Sequence, residues 1–363
     1  MKILVTALLA SGLIAQAQDT LQVMPPSEIQ GLKFSGYVET YYAYDFNQPD
    51  NNTRPSFVYS HNRHNEVALN LGFIKAAYDN GNVRANLALM AGTYANANLA
   101  AENGVMKNVY EANAGIKLSK TANLWVDAGI FASHIGFESA IGKDCWNLTR
   151  SILADNSPYY EAGAKVSYTS PSGKWLMSGL VLNGWQRIQR PDGNKTIAFG
   201  HQVTYKPSDR VTLNSSSFIG NDKPDVDKRM RYFHNLYGIF QVTDNFGLIT
   251  GFDIGAEQKS KGSDSYNCWY APVIIAKYAV TDKAWLSMRG EYYVDKNGVI
   301  ISTDTPNGFE TWGYSLNFDY AIYSNVTWRI EARNLSSKDA VFIKGNSVKN
   351  SNTFVTTALA IAF

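Results

Sequence analysis

The stretch WGYSLNFDYAIYSNVTWRIEAR, residues 312–333, has a period of two that is interrupted once. In its first half, apolar side chains alternate with glycine, serine, asparagine or aspartate; in its second half, they alternate with threonine, arginine or glutamate. Because a strand points successive side chains to opposite faces, each half predicts a strand with one apolar and one polar face. The polar segment YSN, residues 323–325, predicts the hairpin turn between them.

The same alternation recurs along most of the chain. VALNLGF, residues 67–73, predicts one face formed by its valine, two leucines and phenylalanine, and VRANLAL, residues 83–89, repeats the pattern. Repeating this reading predicts about sixteen strands. They are expected at residues 32–46, 65–78, 83–94, 109–118, 124–135, 158–169, 175–186, 196–206, 211–219, 231–242, 246–257, 267–280, 284–294, 309–322, 326–335 and 353–363.

The connections between these strands alternate between short and long. The short ones lie at residues 79–82, 119–123, 170–174, 206–210, 243–245, 281–283 and 323–325; the long ones lie near residues 47–64, 95–108, 136–157, 187–195, 220–230, 258–266, 295–308 and 336–352. Outer-membrane barrels have short turns at one rim and long loops at the other, and a soluble sandwich has no reason to keep this alternation. We therefore predict an all-β fold, a transmembrane antiparallel up-and-down β-barrel with short periplasmic turns and long extracellular loops.

Two further features fit a barrel in lipid. Tyrosines recur beside the short turns, where an aromatic girdle would meet the headgroups: Tyr78, Tyr168, Tyr205, Tyr278, Tyr320 and Tyr323. The chain also ends in an alternating segment, VTTALAIAF, whose last residue is Phe363. A terminal strand that ends in phenylalanine resembles the assembly signal of outer-membrane barrels.

The N-terminus, MKILVTALLASGLIAQAQDT, predicts export. It has an early lysine, an apolar run and a small-x-small end at residues 15–17, which is the layout of a cleavable secretory signal. We expect residues 1–17 to be a cleaved signal peptide, residues 18–31 a periplasmic lead-in, and residues 32–363 the barrel.

Composition excludes several other classes. The chain has 363 residues, of which 45% are hydrophobic, 18% are charged and 13% are aromatic, with a formal charge of +2. A disordered chain would have fewer aromatics and more charge, and the absence of a basic block argues against nucleic acid as a partner. The only cysteines are Cys145 and Cys268, both expected toward the long-loop rim. Export allows a disulfide between them, but two isolated cysteines in a barrel more often stay free.

A barrel of about sixteen strands is too wide for side chains to fill, so we expect an aqueous lumen. The polar faces of the strands supply the expected lining residues: Glu39, Arg84, Glu111, Lys117, Asp127, Glu161, Lys165, Arg289, Glu291, Arg329, Glu331 and Arg333, with Arg231, Asp253, Glu257 and Asp319 beside them. Both signs of charge occur, so this set predicts no ion preference. For any one of these residues, bracing the wall by pairing is as good an interpretation as transport.

The longest internal loop, GFESAIGKDCWNLTRSILADNS (residues 136–157), is unusually amphipathic for an extracellular loop. Its apolar residues suggest that it folds against something, and it is the third long loop, which in diffusion porins narrows the barrel. We hypothesise that it forms a constriction through Glu138, Lys143, Asp144 and Arg150. The alternative is a cap that lies over the mouth.

Four segments together resemble a known family. SGYVETYYAYDFNQP (residues 35–49), DAGIFASHIGFES (127–139), NLTRS (147–151) and LNGWQ (182–186) are similar to the β-barrel porin-2 (OmpL-like) family of Gram-negative outer membranes. The resemblance covers nearly the whole mature chain. It implies a porin that admits small hydrophilic solutes passively, surrounded by outer-membrane lipids, with no catalytic residues and no cofactor. A homotrimer is expected from analogy alone.

Two other functions stay open. A substrate-selective channel would show a ladder of lumen aromatics, for which Trp125, Phe131, Tyr159 and Trp285 are the candidates. A structural or adhesive surface barrel would have a blocked lumen. An enzyme is not expected, because the five histidines are scattered and no nucleophile elbow occurs. HNRH, residues 61–64, could offer two metal ligands, but we predict a solvated loop and no metal site.

Overall fold

In the computed structural model, sixteen antiparallel strands close into a barrel in which each strand pairs with its neighbours in sequence and the last pairs with the first. This confirms the predicted up-and-down barrel. The structure describes residues 29–363. The predicted signal peptide and most of the lead-in lie outside the described residues and stay predictions.

The strand bounds fall close to those expected from the alternation. The barrel strands are β1 (Leu32–Asp45), β2 (Val67–Asp79), β3 (Val83–Ala91), β4 (Val109–Lys117), β5 (Asn123–Ala132), β6 (Tyr160–Thr169), β7 (Trp175–Leu182), β8 (Ala198–Ser208), β9 (Val211–Gly220), β10 (Arg231–Gln241), β11 (Phe246–Gln258), β12 (Tyr266–Thr281), β13 (Ala284–Asp295), β14 (Phe309–Tyr323), β15 (Val326–Ser337) and β18 (Ser351–Ala362). A small hairpin, β16 (Phe342–Lys344) with β17 (Ser347–Lys349), stands apart from the barrel sheet.

Eight long connections lie at the rim opposite the start of β1 and the end of β18. We name them L1 (residues 46–66), L2 (92–108), L3 (133–159), L4 (183–197), L5 (221–230), L6 (259–265), L7 (296–308) and L8 (338–350). L2 contains helix α1 (Thr93–Asn98), and L3 contains helix α2 (Ile152–Asp155). Among residues 29–363, no helix is both long and apolar enough to cross a bilayer.

The outer face of the barrel is apolar, and aromatic rings flank it at both rims. Tyr278, Tyr320 and Tyr323 are exposed beside the short turns, as the girdle prediction requires. Near the long-loop rim, Tyr292 stacks on Trp312 with ring centroids 4.2 Å apart. Amphipathic rings at both ends of an apolar band are typical of a barrel that spans a membrane.

The barrel closes where β1 pairs with β18, and the last residue of the chain extends this pairing. The Gly36 amide donates to the Phe363 carbonyl at 2.6 Å, and the Phe363 amide donates back to Gly36 at 3.0 Å. A Cβ on Gly36 would come within 2.5 Å of the Phe363 ring. Glycine at this position therefore lets the terminal ring lie against β1.

The predicted orientation of the side chains in β2 is wrong for the second half of the strand. In VALNLGF, Val67 points outward, but the pairing of β1 with β2 shifts between Glu39 and Thr40, so that Asn70 is an extra residue in β2. Beyond this bulge Phe73 faces the lumen and Ile74 faces outward. A bulge moves every later side chain to the other face, and a strict period of two could not locate it.

Candidate functional site: the lumen and its internal loop

L3 enters the barrel after β5 and crosses the lumen. At its start, His134 bonds the Glu161 carboxylate at 2.7 Å and the Ser217 carbonyl at 2.8 Å. The Gly136 amide then donates to Asn235 Oδ1 on β10 at 3.2 Å. Glu161 lies on the neighbouring β6, but Ser217 and Asn235 lie on β9 and β10. The loop therefore runs through the interior of the barrel rather than over its mouth.

The tip of L3 reaches the periplasmic half of the barrel. The Lys143 amide donates to the Tyr37 hydroxyl at 3.3 Å, and Arg329 Nη2 donates to the Cys145 carbonyl at 2.9 Å. A Cβ on Gly142 would overlap the Glu39 carboxylate, so only glycine permits this close approach. Cys145 therefore lies deep in the barrel, and the expectation that it sits toward the long-loop rim is wrong.

One wall of the barrel holds L3 in place. We call the inward faces of β13, β14 and β15 the anchoring wall. Five of its charged residues are almost fully buried beneath the loop: Arg289, Glu291, Arg329, Glu331 and Arg333. Two further members of the predicted lining set, Glu39 and Glu161, are also buried and are bonded to histidines of L1 and L3. These predicted lining residues point inward, but the loops cover them.

The anchoring wall binds L3 mainly through the loop backbone, although Arg289 also donates to the Thr149 hydroxyl at 3.0 Å. Glu331 accepts the Thr149 amide at 2.6 Å, and Glu291 accepts the Ile152 amide at 2.6 Å. Arg289 Nη1 donates to the Thr149 carbonyl at 2.7 Å, and Arg333 Nη1 donates to the Arg150 carbonyl at 2.8 Å. The guanidinium groups also pair with the carboxylates, with Arg289 Nη2 lying 2.9 Å from Glu331 Oε1. The carboxylates accept from backbone amides of L3, and the guanidinium groups donate to its carbonyls. These charge-assisted hydrogen bonds satisfy backbone groups that would otherwise be buried without partners.

Within L3, Glu138 and Arg150 keep the loop folded on itself. Arg150 donates to the Ser139 carbonyl at 2.7 Å and to the Leu148 carbonyl at 2.6 Å. Glu138 accepts the Ser151 amide at 3.0 Å. Burial raises the pKa of Glu138 above its usual value, although the nearby Arg289 opposes this shift. Both predicted constriction residues are therefore structural contacts inside the loop.

The other two predicted constriction residues are more exposed than Glu138 and Arg150. Lys143 and Asp144 remain exposed over 42% and 48% of their side chains and lie 3.3 Å apart as an ion pair. They belong to the tip of L3 and are accessible to solvent there.

L1 also folds inward, so the prediction of a solvated HNRH segment is wrong. His61 is fully buried and bonds Glu39 Oε1 at 2.8 Å. His64 is also buried, and its Nδ1 accepts the Asp45 amide at 2.9 Å. L1 packs on L3 through Ser60, whose hydroxyl donates to Asp155 at 3.2 Å. Burial raises the pKa of Asp155 to about 7, against the opposing charges of Arg333 and Arg150.

Opposite the anchoring wall, most charged side chains stay partly open to the lumen, although Asp127 and Glu161 are buried. We call the inward faces of β2 to β6 the free wall. Besides Glu161, its predicted lining residues are Arg84, Glu111, Lys117, Asp127 and Lys165. Arg84 pairs with Asp127 and retains 30% of its side-chain exposure. Lys75, which pairs with Glu111, was missed because the bulge at Asn70 reverses its face. A charged residue on a supposedly lipid-facing side is the signal that could have revealed it.

Two cavities lie beside L2 and L3. One of about 350 Å³ opens at the long-loop mouth, and one of about 400 Å³ lies in the lumen between L3 and β1 to β5. Both are lined by the segments 94–101 and 155–160. Gln186 joins these segments, since its Nε2 donates to the Asn98 carbonyl at 3.2 Å and its Oε1 accepts the Tyr159 amide at 2.8 Å.

The four candidate lumen aromatics do not form a single ladder. Trp125 lies 4.3 Å from the Arg84 guanidinium, and Phe131 lies 4.7 Å from Lys165 Nζ, both on the free wall. Tyr159 borders the lumen cavity. Trp285 belongs to β13 and borders a separate cavity of about 320 Å³ with Trp146 of L3.

The two cysteines lie in different environments. Cys145 is buried, and burial raises its pKa to about 11. Cys268 is exposed on β12, and both thiols are free. The unpaired state is the one favoured by the sequence.

Comparison with known proteins gives one family and several structures. The family model described as "Putative beta-barrel porin-2, OmpL-like" matches residues 31–363. The structure is similar to the trimer form of OmpT, an outer membrane protein of Vibrio cholerae, with a TM-score of 0.60 at 12% identity over 92% of this chain and 99% of that one. No curated protein matches the chain.

Two further solved structures share the fold. The outer membrane channel DcaP of Acinetobacter baumannii has a TM-score of 0.60 at 11% identity, over 92% of this chain and 97% of that one. An anion-selective porin from Comamonas acidovorans has a TM-score of 0.58 at 11% identity, over 92% of this chain and 99% of that one.

Proposed function

Because the chain belongs to the beta-barrel porin-2, OmpL-like family and is an outer-membrane porin channel, we propose that small hydrophilic solutes diffuse passively along its free wall. The observation that carries this proposal is the course of L3. The loop is bound to the anchoring wall by its backbone, so the space that it leaves lies on the opposite side. The lumen cavity between L3 and strands β1 to β5 supports a route there.

L3 acts in this proposal as the constriction. Glu138 and Arg150 keep its fold, and the exposed pair Lys143 and Asp144 faces passing solutes. Arg84, Glu111, Lys117, Asp127 and Lys165, together with Lys75, would wet the passage without a strong ion preference, because acids and bases are mixed. The covered charges of the anchoring wall would act on transport only by holding L3.

Conductance of single channels in planar bilayers tests the constriction. Deleting residues 139–153 should raise the conductance several-fold, because the loop would no longer fill the lumen. The matched control deletes residues 343–348, most of which belong to the exposed β16–β17 hairpin, and should leave the conductance unchanged. Heat-modifiable mobility on gels would establish that both variants fold.

Three outcomes would count against the proposal. A wild-type protein that never conducts would favour the closed surface barrel, and a loop deletion with unchanged conductance would eliminate the constriction. If the deletion does not fold, Lys143→Ala with Asp144→Ala provides the test. This double variant should alter the conductance, and an unaltered value would remove these residues from the passage.

We further propose that the protein is exported with residues 1–17 removed and residues 18–31 left as a lead-in, that lipids surround its apolar outer face, and that it assembles as a homotrimer. The trimer form of OmpT from Vibrio cholerae supports the last point through the shared fold. The mass of the detergent-solubilised protein tests it: the mass of a single chain would contradict it.

A further inference from the structure

The lumen cavity beside L3 has the size of a small-molecule site. Its volume of about 400 Å³ lies within the range of ordinary ligand pockets, roughly 300–1,000 Å³. Strands β1 to β5 form one side, L3 forms another, and L2 closes the end toward the mouth. A solute that moves along the free wall would therefore enter a bounded space rather than open water.

Two aromatic pairs border this cavity. Phe73 and Tyr110 lie parallel, with ring centroids 4.8 Å apart and planes 7° apart. Tyr94 and Tyr159 meet edge to face, with centroids 5.7 Å apart. The face of an aromatic ring carries partial negative charge, which attracts the partially positive hydrogens of C–H bonds. These rings therefore suit a solute with a flat face of C–H groups.

The cavity also has polar groups that can still bond. Lys75 Nζ lies 2.5 Å from Glu111 Oε2, and the two side chains keep 26% and 17% of their exposure. The Tyr159 hydroxyl is buried and has no hydrogen-bond partner within residues 29–363. A buried hydroxyl without a partner is costly unless a ligand or water satisfies it.

From these observations we infer that the lumen cavity binds the ring of a neutral sugar. One face of a pyranose ring presents C–H groups to aromatic rings, and its hydroxyls can bond the Lys75–Glu111 pair and the Tyr159 hydroxyl. Lys75 and Glu111 neutralise each other, so the site does not favour an ion. A wholly apolar solute would leave these polar groups unsatisfied. The inference rests on the proposed passage along the free wall and names its solute class.

Ion current through single channels tests this site with glucose as the probe. Glucose in the millimolar range should interrupt the current in a concentration-dependent manner. Glycerol at equal osmolarity should not, because it has hydroxyls but no ring. Tyr110→Ala should weaken the glucose effect about tenfold, the scale of one lost stacking contact. Tyr110→Phe should restore it, which a general loss of folding could not do.

A matched control lies on the opposite side of the barrel. Trp285→Ala removes a lumen aromatic that does not border this cavity and should leave glucose block unchanged. If it weakens the block as much as Tyr110→Ala does, the site is wrongly located. Removing both charges with Lys75→Met and Glu111→Gln should also weaken the block, and an unchanged block would overturn the polar part of the inference.

The failures of the two proposals can be told apart. Ion current that glucose leaves undisturbed, or that phenol blocks and glucose does not, overturns the sugar site and leaves the porin proposal standing. Absence of any ion current overturns the passage instead. In that case calorimetric titration of the detergent-solubilised protein with glucose decides the site, and absence of binding heat overturns it.

Discussion

The anchoring wall and the free wall have the same pattern in sequence and different environments in the barrel. Both alternate apolar residues with inward charges of either sign. On the anchoring wall, L3 lies over the charges and buries them, as for Arg329. On the free wall, Arg84 keeps part of its exposure to the lumen. The comparison teaches that the role of an inward charged residue depends on whether a loop backbone lies on it. A covered residue holds the loop in place, and an uncovered one lines the lumen.

The two walls should differ most in how much a single ion pair contributes. Arg329 pairs with Asp319 at 2.7 Å while also donating to L3 carbonyls, and both side chains are buried. Removing one partner of a buried pair leaves an unpaired charge and costs about 3–5 kcal/mol. The pair of Arg84 with Asp127 is less buried, with side-chain exposures of 30% and 6%, and should contribute about 1 kcal/mol or less, because water screens it.

The largest expected effect is therefore that of Arg329→Met. It should lower the free energy of unfolding by about 3–5 kcal/mol and raise channel conductance, because Asp319 is stranded and the tip of L3 is released. Arg84→Met on the free wall is the counterpart and should cost about 1 kcal/mol or less. Guanidinium unfolding followed by tryptophan fluorescence measures both. Equal losses would show that the walls do not differ in this way.

The contact between L1 and L3 should depend on pH through Asp155. Its folded pKa of about 7 lies above its ordinary value of 3.8, so the folded protein holds this proton more tightly than the unfolded chain. The free energy of unfolding contributed by this group therefore falls as pH rises from about 4 to about 7. Asp155→Asn should remove that contribution, so wild type should gain more stability than the variant between pH 8 and pH 5.

Other titratable groups lie near Asp155 and also change the pH dependence of stability. The test must therefore compare the pH profiles of wild type and Asp155→Asn. Arg333 and Arg150 lower its pKa, whereas Glu138 raises it. Glu138 itself has a raised pKa, and burial also shifts the pKa of His61 downward. Because these groups remain in both proteins, the difference between wild type and Asp155→Asn isolates Asp155. Parallel pH profiles of the two proteins would contradict the assignment.

The smallest expected effect is a difference in labelling between the thiols of Cys145 and Cys268. Labelling of Cys145 reports whether L3 stays packed against the barrel wall. With a pKa of about 11, fewer than about one Cys145 thiol in a thousand is ionised at pH 7.5. A maleimide added to the folded protein in detergent should label exposed Cys268 alone, and unfolding should expose both. Mass spectrometry counts the labels. Two labels on the native barrel would mean that L3 leaves the anchoring wall readily.

Much of the barrel followed from the period of two and the turn chemistry, because a strand that separates lipid from water must alternate. The miss in β2 has a local cause, since the bulge at Asn70 adds one residue and reverses Phe73 and Lys75. HNRH was misread for a different reason. Its polar composition predicts solvent, but buried Glu39 supplies a partner for His61 from a strand 22 residues away.

By itself, the sequence determined the class of fold, the approximate number of strands, the rim at which the long loops lie and the amphipathic character of the third loop. These depend on local spacing and on the solvent that each face must meet. Only the tertiary structure decided which inward charges hold L3 and which stay open beside it. That division depends on backbone groups of L3 meeting side chains more than 130 residues away, as Thr149 meets Arg289 and Glu331, and no spacing along the chain records such a contact.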